Sequence, residues 1–213
     1  MPAILENWFG GEEQGHAVAD VLWGDVNPSG SLPITFPQSD QQTPITVRGD
    51  EEQYPGVNDR TEYREGVFIG YRGHQEFNLS PRWPFGHGLS YTAFGFSRLQ
   101  TPSRVQRPES SQVQVSFTLR NRGRRRGTEI AQVYVGRLPT NAVRTPKRVL
   151  AGWAKATLDP GESRRVTATL DRRAFQYWDV NADRWVTPRG RVRIMVGSSV
   201  EDIELRGAVR IRP

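Results

Sequence analysis

The 213-residue sequence has no cysteine. That excludes a disulfide framework and a thiolate metal site. It leaves the compartment open, because a domain of this size folds without disulfides inside or outside a cell. No apolar run approaches the roughly 20 residues of a membrane span. The N-terminal stretch M-P-A-I-L-E-N-W has no basic region followed by an apolar core, so no signal peptide is expected. Only three histidines occur, His16, His74 and His87. They are scattered, and a zinc site needs three or four ligands at suitable spacing. A Gly-x-Ser-x-Gly elbow and a phosphate-binding glycine loop are both missing. No cofactor or metal is expected.

What is present centres on Trp83 to Phe94, W-P-F-G-H-G-L-S-Y-T-A-F. Pro84 fixes one backbone angle, and Gly86 and Gly88 permit angles that a side chain forbids. Five large apolar residues surround those turns, which predicts a packed corner. The charge changes sign there. Residues 1–90 hold 13 acidic and 5 basic side chains, whereas residues 91–213 hold 10 and 24, within an overall net charge of +6. This predicts two units, 1–90 and 91–213. The basic side chains are mostly single arginines at alternating positions, the pattern of a solvated sheet face. The one cluster, Arg122, Arg124, Arg125 and Arg126, reads as a charged turn and has no interleaved aromatics for a single-strand platform. No nucleic-acid partner and no membrane partner are expected.

In the first unit, Ala3 to Leu5 reads as a buried strand end and Glu12 to Trp23 as a helix, with Ala17, Val18, Val21 and Leu22 on one face. Gly24 is its stop. Leu32 to Phe36 reads as a second strand, giving one crossover unit of a parallel sheet. Such a sheet must be covered on both faces, so neighbouring strands are expected upstream and the chain reads as the tail of a larger protein. Ser39 to Arg60, with its acidic run Asp50 to Glu52, reads as a surface excursion. Tyr63 to Arg72 reads as extended and Gly73 to Arg82 as loop.

From Tyr91 the period becomes two. Val113, Val115, Phe117 and Leu119 alternate with polar residues. Ile130 to Val135 is apolar on both faces and reads as central. Further strands are expected at Val149 to Leu158, Val166 to Leu170, Phe175 to Trp178, Val192 to Val196 and Ile203 to Ile211, with a tight turn at Asp159-Pro160-Gly161-Glu162. Seven or so short strands without a convincing helix argue a β-sandwich.

Three blocks together resemble the C-terminal part of family 3 glycoside hydrolases of the β-glucosidase type. The first is A-I-L-E-N-W-F-G-G-E-E-Q-G-H-A-V-A-D-V-L-W-G-D-V-N-P-S-G-S-L-P-I-T-F-P at 3–37. The second runs from Y-R-E-G-V-F-I-G-Y-R to W-P-F-G-H-G-L-S-Y-T-A-F at 63–94. The third comprises N-R-G at 121–123, R-T-P-K-R-V-L-A-G-W at 144–153, L-D-P-G-E at 158–162, Y-W-D at 177–179 and V-G-S-S at 196–199. Gln14 and His16 stand where the family pattern suggests glycine and asparagine. The resemblance implies a mainly β chain: a fibronectin type III-like sandwich at 91–213, preceded by the partial α/β (β-α-β) remnant at 1–90. It also implies hydrolysis of terminal β-linked glucose by double displacement, and the G-D-V-N-P-S-G and L-P-I-T-F-P motifs lean toward β-glucosidase over β-xylosidase.

Retaining hydrolysis needs two carboxyl groups about 5 Å apart. The resemblance implies that the nucleophilic Asp comes from an N-terminal barrel and the acid/base Glu from an earlier loop of the α/β domain. Neither maps onto a residue here, so no catalytic residue is assigned and the chain alone is expected to be inactive. A β-glucoside or oligosaccharide would be engaged through upstream domains; a truncated gene product and a split enzyme with a separately made N-terminal half both fit. Glu12 and Glu13 point apart on a helix and read as helix-start electrostatics. Glu62 and Glu65 read as surface partners of Arg64, and His87 as a turn residue. Trp153, Tyr177, Trp178 and Trp185 read as core or domain-contact anchors, with a sugar-stacking face as the alternative. Trp83 and Phe85 are assigned to the joint. The rivals are a carbohydrate-binding or scaffolding module, and a nucleic-acid binder using the arginine turn.

Overall fold

The computed structural model describes residues 3–49, 53–105 and 112–212. The acidic run at 50–52 lies outside the described residues. Among the described residues ten strands and two α-helices are formed, in chain order α1 (Gln14–Trp23), α2 (Tyr71–Glu76), β1 (Phe94–Gln100), β2 (Arg104–Val105), β3 (Val113–Asn121), β4 (Gly127–Gly136), β5 (Arg148–Leu158), β6 (Ser163–Leu170), β7 (Tyr177–Asp179), β8 (Arg184–Val186), β9 (Gly190–Gly197) and β10 (Ile203–Ile211). One sheet runs β1-β3-β6 and a second β2-β10-β9-β4-β5, while β7 and β8 form a separate ribbon. All pairs are antiparallel except β2 with β10.

The sandwich follows from side-chain alternation. Val113, Val115, Phe117 and Leu119 on β3 are buried against Val133 and Val135 of β4, Leu158 of β5 and Val192, Ile194 and Val196 of β9. β4 is central, as expected, and buried from Ala131 to Gly136. Gly161 (φ 78°) makes the 159–162 turn, closed by Glu162 N–H donating to the Asp159 carbonyl at 3.0 Å. Asn121 ends β3 fully buried with every polar atom used. Its Nδ2 donates to the Arg125 and Leu158 carbonyls, and its Oδ1 accepts from the Thr92 hydroxyl and the Gly123 amide. A buried amide so satisfied locks the 121–127 turn.

Several expectations need correction. Ala3 to Leu5 is not a strand, and Leu32 to Phe36 reduces to one bridge between Phe36 and Trp83. A parallel strand exists only through its neighbours, and the described residues offer these segments no parallel one. The Tyr63 to Arg72 stretch is not extended: it turns, with Gly66 and Gly70 at positive φ, and runs into α2, which also occupies part of the expected 73–82 loop. Phe175 belongs to a short 3₁₀ turn (Arg172–Phe175) with Asp171 as its cap, so the aromatic strand begins at Tyr177 and is one arm of the β7-β8 ribbon. Glu65 is buried beside Gln53, whose side-chain amide donates to it, whereas Glu62 pairs with Arg64 at 2.9 Å on the surface.

Candidate functional site

Residues 71–91 form a strap across the outer face of β4, β5 and β9. Its anchor is Tyr134, fully buried on a face that a bare sandwich would leave wet. Tyr71 lies edge-on to Tyr134 at 6.3 Å and stacks on Phe85 at 4.8 Å. The Leu150 amide donates to the Tyr71 hydroxyl at 3.0 Å, and the Val200 amide to the Phe85 carbonyl at 3.1 Å. Gln132 holds the centre: its Nε2 donates to the carbonyls of Gly86 (3.1 Å) and Ser198 (2.6 Å), and its Oε1 accepts from the Tyr134 hydroxyl. Gly86, at φ 84°, sits so close that a Cβ would land on the Gln132 amide. Burial first, and the neighbouring Tyr71 second, push the Tyr134 hydroxyl well above the usual tyrosine range. At the rim, the nearly buried Glu76 carboxylate takes Arg137 (2.7 Å) and Arg144 (2.6 Å). Phe85 thus packs on the sandwich through Tyr71, and Trp83 packs edge-on to Phe36 at 5.7 Å.

The strap carries residues 3–36 with it. The Gly86 amide donates to the Leu32 carbonyl and the Leu32 amide to the His87 carbonyl, both at 2.8 Å. The C-terminus of α1 is moored by polar contacts. Gly24 (φ 85°) caps it, Arg125 donates to the Gly24 carbonyl at 2.8 Å, and the Tyr91 hydroxyl donates to the Val21 carbonyl at 2.6 Å. A cation at a helix C-terminus suits the dipole, so the arginine turn has a structural task. The rest of α1 stands clear, with no buried residue. Ile4, Leu5, Trp8, Phe9, Leu22, Trp23, Val26 and Ile34 are all exposed, Phe9 completely and Trp23 at 82%. An apolar face of that extent marks an interaction surface.

The other singled-out residues are not brought together. Glu13 pairs with His16 at 2.7 Å on the exposed helix start. His74 is buried, which holds its pKa below the usual histidine value, and its ring faces the Leu79 carbonyl. His87 bonds through its backbone. No group of three metal-binding side chains occurs among the described residues. Of the core and domain-contact alternatives, exposure removes the core one: Trp153 is 65% exposed on β5, and Trp178 and Trp185 are 41% and 43% exposed on the ribbon. Those two meet edge-on at 5.6 Å, and Arg173 covers one face of Trp185 at 4.4 Å. Tyr177 packs against the core. Glu129 escaped notice in the sequence. Burial, and secondarily the charge of Asp202, raise its carboxyl to about 7. Its register partner is the buried Ala156, so it stands in phase with the core side of β4; the alternation Glu129, Ala131, Val133 was the available signal.

Residues 1–91 match the glycosyl hydrolase family 3 C-terminal domain, and residues 129–200 match the fibronectin type III-like domain. The chain belongs to glycoside hydrolase family 3. Within this family it is similar to thermostable β-glucosidase B of Acetivibrio thermocellus, 41% identical over 99% of this chain and 27% of that protein. It is also similar to probable β-glucosidase K of Emericella nidulans, 37% identical over 98% of this chain and 23% of the relative. Among solved structures, DesR, a β-glucosidase from Streptomyces venezuelae in complex with D-glucose, superposes with a TM-score of 0.87 and 39% identity over 93% of this chain and 25% of that one. The β-D-glucoside glucohydrolase of Trichoderma reesei gives 0.84 and 35%, over 95% and 29%. This family 3 chain thus spans about a quarter of the length of its relatives and corresponds to their C-terminal part.

Proposed function

We propose that the chain is the C-terminal part of a β-glucosidase that releases terminal β-linked glucose. In this reading its sandwich and strap hold the last helix of an α/β domain in place, and the two reacting carboxyl groups belong to the part of the relatives' length that it does not span. The carrying observation is the run of apolar side chains from Ile4 to Ile34 left exposed among the described residues, before, on and after a helix moored only at its C-terminal end. That face would be covered by upstream strands and helices, whether joined to this chain or made as a separate half. Splicing this chain behind the upstream three quarters of the Acetivibrio relative tests the reading. The chimera is expected to hydrolyse an aryl β-glucoside, and the 213-residue chain alone is not. Activity of the chain alone, lost on changing one of its own carboxylates, would overturn it.

A second reading is a non-catalytic carbohydrate-binding module. It is favoured by the exposure of Trp153, Trp178 and Trp185. Titration with soluble neutral glucans, with Trp153→Ala and Trp178→Ala as controls, distinguishes it.

A further inference from the structure

At the end of the sandwich opposite α1, three arginines stand in one cross-strand row. Arg210 of β10 is in register with Arg104 of β2 on one side and Arg191 of β9 on the other. All three are exposed, and their neighbours Val105, Val192 and Val209 are buried, so the row lies on the outer face of the sheet. Strand spacing sets them about 5 Å apart, about 10 Å from end to end. Arg193 and Arg206 extend the same face along β9 and β10, with Ala208 and Met195 opposite them. Among the described residues none of these five arginines makes an ion pair or side-chain hydrogen bond, although other arginines, such as Arg137, Arg144 and Arg164, do. Like charges directly opposite each other weaken a sheet, and among the described residues no carboxylate relieves this row.

Between the arginines the surface dips. A pocket of about 460 Å³ is lined by Ser103, Arg191, Ala208, Val209 and Arg210. Small Ala208 lines the space together with Arg191 and Arg210. Guanidinium forks bind carboxylates in bidentate fashion. Several of them along one sheet face fit repeated anions rather than one. The positions between them, Ser103, Ala208 and Met195, offer no ring for a base to stack on. A dip floored by small side chains and bordered by donors suits a sugar ring carrying a carboxylate. We infer that this face binds an acidic, carboxylate-bearing polysaccharide, and so tethers the protein to a charged glycan matrix. The inference does not depend on the proposed glucosidase activity, since it uses only residues of the sandwich.

The test is titration of the full 213-residue chain with polygalacturonate, with dextran, duplex DNA and polyglutamate as comparison probes. Binding to polygalacturonate is expected, weakening as salt screens the charges. The double variant Arg191→Ser/Arg210→Ser should lose about tenfold or more in affinity, roughly a 1.4 kcal/mol change. Its melting temperature should be unchanged or raised, because a repulsive row has been relieved. The pair Arg120→Ser/Arg165→Ser, on the other sheet, removes the same net charge and should leave affinity within about twofold, well under that tenfold step. Absence of binding, equal weakening by both pairs, or equal or tighter binding to dextran, DNA or polyglutamate would each overturn the inference.

Discussion

Replacing Gln132 tests whether the strap is a structural clamp or a loop resting on a finished sandwich. In Gln132→Ala the Tyr134 hydroxyl and the carbonyls of Gly86 and Ser198 each lose a partner. Tyr134 is fully buried and Gln132 itself is 4% exposed, so water does not readily replace the amide. A buried polar group left unsatisfied costs about 1–3 kcal/mol. Three such groups, partly relaxed, give about 3–5 kcal/mol. For a protein of this size that is a drop of roughly 10 °C in melting temperature. Gln132→Leu should recover little, since it restores volume but not the bonds. Tyr134→Phe should lose about 1 kcal/mol and couple to Gln132→Ala in a double-mutant cycle. Calorimetry gives the loss, and hydrogen exchange at the Gly86 and Val200 amides shows whether the strap lifts. An alanine variant within about 1 kcal/mol of the wild type, or full rescue by leucine, would refute the reasoning.

Other expectations follow from the same contacts. Glu129 has a folded-state pKa raised to about 7, so the folded state favours its protonated form. Its contribution is intact below the unfolded value near 4.5 and is lost as pH climbs from there through 7. Glu129→Gln should therefore match the wild type near pH 4 and be the more stable protein at pH 8 by up to about 3 kcal/mol, read from denaturant melts at both pH values. Asn121→Ala strips four hydrogen bonds from the 121–127 turn and should cost about 3 kcal/mol, with exchange speeding first at Gly123. Phe9→Ser, at a fully exposed apolar position, should leave the melting temperature unchanged and reduce self-association measured by light scattering. Residues 91–213 should fold cooperatively alone, and residues 71–213 should melt higher, because only the longer piece covers Tyr134; equal melting would place the strap outside the stable unit.

The sandwich was legible because its strands repeat every second residue. Val113 to Leu119 and Val192 to Val196 declare a buried face on their own. The joint was legible as a corner from Pro84, Gly86 and Gly88, but not its partners. Nothing local says that Gln132, in an otherwise apolar run, is the group that Gly86 must clear. The failures fall where structure depends on distant chain. Ala3 to Leu5 and Leu32 to Phe36 have strand sequences but, among the described residues, no parallel strand to pair with. Tyr71 opens α2, and its ring stacks on Phe85 and meets Tyr134 edge-on, contacts invisible to local periodicity. Trp178 and Trp185 read as core or domain-contact anchors because large rings usually are buried; the ribbon leaves both about 40% exposed. The arginine row was visible only as alternation in the sequence, since register across β2, β10 and β9 makes it a row.

Backbone hydrogen exchange over residues 3–9 is the most direct measurement of whether the apolar face is a docking surface for the rest of a β-glucosidase. In the 213-residue chain these amides should exchange within seconds, because they have no strand partner. Spliced behind the upstream part of the Acetivibrio relative, they should become protected by orders of magnitude as a neighbouring strand pairs with them. Strong protection already in the chain alone, or none after splicing, would contradict the account.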